Sequence, residues 1–209
     1  MKKLERYLKI KEILDKTYPE AGCSLLYEKP HELLIATILA AQCTDKRVNI
    51  ITKTLYKKYP DIYAFANAKY DELCEDIKTA GLYKSKAKNI ILCAKKIVSD
   101  FNGKVPETLE ELTSLAGVGR KTAGVVLGDV FNTPSLVIDT HAKRLSKRMG
   151  FTKEEEPYKV EKDLARFIPE KDKSIFCHQL VLHGRAFCRA RNPLCGECPV
   201  REFCKKEGV

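Results

Sequence analysis

A chain of 209 residues with 44% apolar content is long enough for one large or two small domains whose core needs no staples, and it is too apolar to be disordered. Its formal charge of +10, from 38 basic and 28 acidic side chains, points to a polyanion, nucleic acid first, as its partner. The N-terminal MKKLERYLKIKEIL is charged throughout and lacks the apolar core of a signal peptide. The longest apolar run, Leu33 to Ala41 with Thr37 inside it, is too short to span a bilayer. The expectation is a cytoplasmic protein with no membrane contact, in a compartment where thiols stay reduced.

Helical periodicity dominates the chain. Apolar residues at steps of three and four predict helices over 4–17, 30–41, 45–58 and 70–79. From Ser85 to Phe101, Ala87, Ile90, Ile91, Ala94, Ile97, Val98 and Phe101 form one face, with lysines on the other. Thr108 and Glu111 make a capping-box pair ahead of a short helix, Leu109 to Leu115. Further helices are expected over 120–131, 139–149, 158–167 and 173–187, separated by Gly and Pro breakers. No stretch alternates as a strand would, so the fold reads as all-α with short connections. Asn132-Thr133-Pro134-Ser135 is the best internal break, and the C-terminal tail must pack on something helical, for which the N-terminal helix is a candidate.

The stretch GVGRKTAG, Gly117 to Gly124, looks like a phosphate-binding loop but is not a P-loop, because Arg120 separates Gly119 from Lys121. It is not a dinucleotide fingerprint either, since Thr122 stands where the third glycine belongs. It reads as helix, hairpin, helix. Gly117 and Gly119 permit positive φ and close backbone approach, and Val118 between them is expected to anchor the hairpin in the core. A helix starting near Arg120 would present free backbone N–H groups to an anion, and a DNA phosphate fits that description without any sequence preference. A plain surface turn with an exposed Lys121 would read the same way. Further on, Asp139 of VIDTH stands at an N-cap position.

Nine cysteines divide into two groups. Cys23, Cys43, Cys74, Cys93 and Cys177 are scattered in apolar helical context and read as small buried hydrophobes. Cys188-x6-Cys195-x2-Cys198-x5-Cys204 instead places four thiols in one short segment. In a reducing compartment these suit tetrahedral zinc or an iron–sulfur cluster, and the spacing leaves both open.

Taken together, LAAQCTD (39–45), GLYKSKAKNI (81–90), LAGVGRKTAGVVL (115–127), VIDTHAKRLSKRMGF (137–151) and the cysteine tail resemble the endonuclease III family of base-excision DNA glycosylases over nearly the whole chain. The resemblance implies two helical domains flanking a DNA-binding cleft. One is a six-helix barrel at 22–133 with its helix-hairpin-helix at about 109–131. The other is discontinuous, 1–21 with 134–209, and carries a [4Fe–4S] cluster on Cys188, Cys195, Cys198 and Cys204. It implies removal of oxidised pyrimidines from duplex DNA by a monomer, with Lys121 attacking C1′ to form a Schiff base, Asp139 as the catalytic carboxylate, and strand cleavage 3′ to the site by β-elimination. Gln42 and Leu82 match the residues that fill the gap left by the flipped nucleotide. Gly117, Val118, Gly119 and Arg120 would hold phosphate, Asp45, His141 and Arg144 would line or support the pocket, and Arg189 and Arg191 would reach phosphates from the cluster loop.

Two positions depart from the family pattern. Ala116 replaces the usual proline before the hairpin, and Gly124 stands where asparagine is common, at a helical position where glycine costs roughly 1 kcal/mol relative to alanine. Two other functions share most of these features: a mismatch-specific glycosylase on the same scaffold, whose members typically lack the lysine, and a non-catalytic helix-hairpin-helix DNA-binding module. Lys121 and Asp139 together argue for the lyase.

Overall fold

The computed structural model describes residues 1–209 and is entirely helical. In chain order the helices are α1 (Lys3–Thr17), α2 (Pro30–Leu39), α3 (Asp45–Lys58), α4 (Ile62–Ala66), α5 (Tyr70–Asp76), α6 (Tyr83–Asp100), α7 (Leu109–Thr113), α8 (Arg120–Val130), α9 (Thr140–Arg148), α10 (Pro157–Ala165) and α11 (Lys173–Ala186). Two 3-10 turns, Lys78–Ala80 and Glu170–Asp172, complete the set. No helix is long and apolar enough to cross a membrane. The chain divides into two compact units, Cys23–Thr133 and Met1–Gly22 with Pro134–Val209.

In the unit Cys23–Thr133, α2 is the centre. Leu33, Leu34, Ile35, Ala36, Ile38 and Leu39 are all buried, so α2 is apolar around its whole circumference and needs neighbours on every side. It has them in α3, α6 and α8, while α4 lies along α6. Pro30 starts α2, and the Glu32 carboxylate accepts from the backbone amides of Glu28 and Lys29 at 2.7 and 3.1 Å, satisfying donors that the first turn leaves open. Thr108 caps α7 by accepting from Glu111 N at 3.2 Å, but its hydroxyl, in place of the backbone amide a capping box uses, donates to the Glu111 carboxylate at 2.7 Å.

The unit formed by Met1–Gly22 and Pro134–Val209 is built on aromatic packing. Tyr7 of α1 meets Phe167 and Phe176 edge-on at centroid distances of 5.9 and 5.2 Å, and Phe151 packs on the same two rings. Each such pair adds roughly 0.5–1.5 kcal/mol beyond the area it buries. The first helix is thus an integral part of a core made otherwise from the last third of the chain. Lys9 lies over the Phe203 ring at 5.2 Å, so α1 also supports the cysteine tail.

Three expectations shift. Helix α4 is absent from the sequence reading, because five residues capped by Asp61 are too few to show a period. The 70–79 run breaks at Asp76 into a separate 3-10 turn. Helix α2 stops at Leu39, two residues early, and the chain turns through Gln42 at φ 55°.

The Tyr7 hydroxyl donates to Asp172 Oδ2 at 2.8 Å, and burial, reinforced by that bond, raises its pKa so that the phenol stays protonated. Replacing Tyr7 by Phe keeps the ring contacts and removes only this bond. The expected loss is about 1 kcal/mol of unfolding free energy in urea titration; an unchanged midpoint would show that the bond contributes nothing.

Candidate functional site

The hairpin lies in the unit Cys23–Thr133, between α7 and α8. Val118 is 6% exposed and belongs to the same core cluster as Leu115 and Ala123, so the loop is anchored from inside. Gly117 has φ 77°, and a Cβ there would meet Asn89 Cβ of α6 at 2.9 Å. The position therefore requires glycine twice over, for conformation and for close approach. Gly119 differs from the sequence expectation. Its φ is −93°, within reach of any residue, and a Cβ on it would meet nothing within 4 Å. What glycine provides at 119 is open space in front of α8. Gly119 is the N-cap of α8 and no side chain caps that helix, so the amides of its first turn stand at a surface with positive helix-dipole character. Arg120 and Lys121 are the first two residues of α8, and both side chains are exposed. Backbone donors, a guanidinium and an amine thus share one helix start, which suits a phosphate and an electrophilic carbon beside it.

Two more turns of this unit carry single exposed side chains in an unusual backbone state. Gln42 follows α2 at φ 55°, and Leu82 precedes α6 at φ 49°. Both are exposed, Leu82 by 59%. Leucine in the left-handed region costs about 1–2 kcal/mol, and leaving its side chain in water forgoes its burial. Core packing therefore does not account for Leu82. Asp45, half-buried in the first turn of α3, accepts from Ser24 Oγ at 2.6 Å.

In the other unit, Asp139 is the N-cap of α9. Its Oδ1 accepts from Ala142 N at 2.7 Å, which fixes the carboxylate at the helix start. Two residues into α9, His141 sits beside Arg144, with Nδ1 to Nη2 at 3.2 Å. Arg144 is turned inward. Its Nε and Nη2 donate to Cys188 O at 3.1 and 2.9 Å, tying α9 to the start of the cysteine tail. Gly184 of α11 makes this possible, since a Cβ there would meet His141 Nδ1 at 2.5 Å and Arg144 Nη2 at 3.0 Å.

The four tail cysteines, all half-buried, line one cavity together with Arg148 and His183. Four thiols around one cavity are a donor set that an iron–sulfur cluster takes, and Cys188, Cys195, Cys198 and Cys204 would hold it. Burial pushes the Cys198 thiol up to about 11, and the other three thiols push it the same way, so they lie close enough to feel one another's charge. A cation held among them would reverse that effect. Two of the sulfurs accept from nearby N–H groups. Lys206 N donates to Cys204 Sγ at 3.4 Å, and Arg148 Nη1 donates to Cys188 Sγ at 3.4 Å. His183 Nε2 lies 3.3 Å from Cys198 Sγ, and its Nδ1 lies 3.2 Å from the Tyr18 hydroxyl. Burial lowers the His183 pKa to about 4, so the ring is neutral and carries one N–H. If Cys198 is a thiolate ligand of a cluster, its sulfur only accepts, and then Nε2–H would point at sulfur while Tyr18 donates to Nδ1.

Arg148 and His183 are site residues that the sequence reading missed. Arg148 also donates to Arg189 O at 2.7 Å and Ala190 O at 3.1 Å, which immobilises the loop that displays the exposed Arg189 and Arg191. An arginine among the other basic residues of α9 and a histidine on an apolar helix give no sign of what they face. The remaining cysteines divide by burial. Cys74, Cys93 and Cys177 are core residues, whereas Cys23 and Cys43 are half-buried at the edge of theirs.

Residues 35–170 match the HhH-GPD superfamily of base excision DNA repair proteins, and residues 188–204 match the iron–sulfur binding domain of endonuclease III. The chain is 48% identical to endonuclease III of Synechocystis over 97% of its own length and 93% of that protein's. It superposes on a solved non-covalent endonuclease III–DNA complex with a TM-score of 0.92 and 40% identity, covering 99% of this chain and 96% of that one. The structure of a trapped endonuclease III–DNA covalent intermediate matches it equally well, at TM-score 0.92 and 40% identity, covering 99% and 97%. The chain therefore belongs to the endonuclease III family of iron–sulfur base-excision enzymes.

Proposed function

We propose that Lys121 is the nucleophile and Asp139 the catalytic carboxylate of a base-excision DNA glycosylase with abasic-site lyase activity, acting as a monomer on oxidised pyrimidines and abasic sites in duplex DNA. The observation that carries the reading is the position of Lys121, exposed at the second residue of α8 directly behind an uncapped hairpin. A covalent complex with DNA has been trapped in a protein 40% identical to this one, and such a complex needs a nucleophile.

The chemistry proceeds from these groups. Hairpin amides and Arg120 hold the phosphates beside the lesion, and the damaged nucleotide leaves the stack. The neutral Lys121 amine gives its lone pair to C1′, the C1′–N bond to the base breaks, and the base departs with a proton. The carboxylate of Asp139 stabilises positive charge on the sugar, its direction set by the cap it makes to Ala142. Ring opening yields the C1′=Nζ imine. Loss of a C2′ proton then expels the 3′ phosphate, and water releases the lysine. Gln42 pairs with the orphaned partner base and Leu82 blocks restacking. Cys188, Cys195, Cys198 and Cys204 would hold the [4Fe–4S] cluster, which would order the tail so that Arg189 and Arg191 face phosphates.

Borohydride trapping on a duplex with one thymine glycol should give a covalent adduct that Lys121→Gln abolishes, with folding stability and abasic-DNA affinity retained. Parallel loss of binding and adduct would count against the nucleophile, and an adduct on plain abasic DNA alone would leave the lyase and remove the oxidised-pyrimidine substrate. Asp139→Asn separates the two roles of that residue, because asparagine caps a helix as well as aspartate does. Thermal stability should hold while turnover falls about a hundredfold or more; full turnover would remove Asp139 from the chemistry. The purified protein should be yellow-brown, with broad absorbance near about 400 nm, and iron and sulfide should disappear in Cys198→Ala. A colourless protein with stoichiometric zinc would overturn the cluster.

A further inference from the structure

Lys86 is the one lysine in the core of its unit, and the proposed chemistry does not use it. It is 4% exposed, and its Nζ donates to Leu39 O at 2.8 Å and to Ala80 O at 2.7 Å. Leu39 is the last residue of α2, and Ala80 is the last residue of the 3-10 turn Lys78–Ala80. Terminal carbonyls of this kind have no partner within their own helix and carry the negative end of its dipole. One ammonium therefore closes two helix ends at once. Lys86 N also donates to Leu82 O at 3.0 Å.

The position matters because of the residues just beyond each carbonyl. Gln42 comes three residues after Leu39 and Leu82 two residues after Ala80, and both are exposed side chains on a left-handed backbone, one following α2 and one preceding α6. A non-glycine residue in that region persists only where its surroundings over-determine it. Burial lowers the Lys86 pKa from its ordinary value, so as a stability device alone this lysine is expensive. An apolar residue of the same length would avoid that desolvation but leave both carbonyls without this donor.

We infer that Lys86 is a positioning residue, a staple holding the Gln42 and Leu82 turns in fixed register so that both side chains enter the duplex together. The staple rests on the reading of Gln42 and Leu82 as gap-filling residues. It predicts a defect confined to duplex substrates, because a single-stranded abasic site has no stack to open and no partner base to replace.

The test is Lys86→Met, which keeps the chain length and removes the donors. Cleavage of an abasic duplex should fall about tenfold or more, while cleavage of the same abasic oligonucleotide as a single strand keeps its rate. Leu82→Ala and Gln42→Ala serve as references on the duplex, and Lys86→Met should add little to the loss that the Leu82→Ala and Gln42→Ala pair already causes. Equal loss on duplex and single strand would mean general destabilisation and overturn the staple, as would full duplex activity. If Leu82→Ala and Gln42→Ala leave duplex cleavage intact, the gap-filling reading falls and the staple with it. Should Lys86→Met not fold, Lys86→Gln carries the same comparison, since it keeps an N–H donor but is too short to reach both carbonyls.

Discussion

Close approach to helix α6 governs how the unit Cys23–Thr133 presents its outer turns. Three turns meet the first half of this one helix. Leu82 is its N-cap, Lys86 reaches the carbonyl that closes α2, and Asn89 lies under Gly117 where no side chain fits. Lys86 and Asn89 are three residues apart and so share a face of α6. A helix is the stiffest element a chain can offer, and turns docked on one helix share its frame. The left-handed conformations at Gln42, Leu82 and Gly117 would otherwise relax into the many states open to a loop. Held this way, the hairpin amides can meet a phosphate with little further ordering, and binding loses less entropy.

The other unit solves a different problem with the same economy. A tail of about twenty residues after α11 has too few apolar side chains to fold alone. Its order comes from four sulfurs around one cavity, and from arginines of α9 that reach into it. Arg144 holds Cys188 O, and Arg148 holds the next two carbonyls. Each guanidinium offers several donors in a fixed plane, so one side chain satisfies carbonyls that an irregular loop cannot pair within itself. His183 links the tail to Tyr18, with Nε2 at Cys198 sulfur and Nδ1 at the Tyr18 hydroxyl. That places the end of the N-terminal segment in the environment of the cluster, and Lys9 over Phe203 does the same from the middle of α1. The first helix and the last residues of the chain thus depend on each other.

Charge is distributed to match. The excess of +10 is not neutralised by a matching set of buried acids, and several ion pairs join residues three or four positions apart, such as exposed Lys96 with Asp100. Exposed pairs of this kind contribute roughly 0–1 kcal/mol each and are screened by salt. The basic groups of the hairpin and the cluster loop, Arg120, Lys121, Arg189 and Arg191, remain at the surface, where a polyanion can meet them.

Much of this was legible from residue order alone. Period fixes the existence of most helices, because an amphipathic face repeats every three to four residues whatever it packs on. Local chemistry fixes the hairpin, the Thr108 and Asp139 caps and the clustering of four thiols, since each depends on residues only a few positions apart. Family motifs carried the assignment of Lys121 and Asp139 and chose iron–sulfur over zinc, which spacing left undecided. What residue order could not show lies in pairings across long separations. Nothing around Lys86 announces that its ammonium will meet a carbonyl 47 residues away, and nothing in α9 marks Arg148 as the support of a loop about forty residues downstream. Gly119 looks like Gly117 in sequence, yet only the folded backbone separates a glycine needed for its φ from one needed for the space before it. Helices arise from short-range rules, whereas a buried donor is placed by whichever distant carbonyl the packing leaves unpaired, and only the tertiary structure decides that.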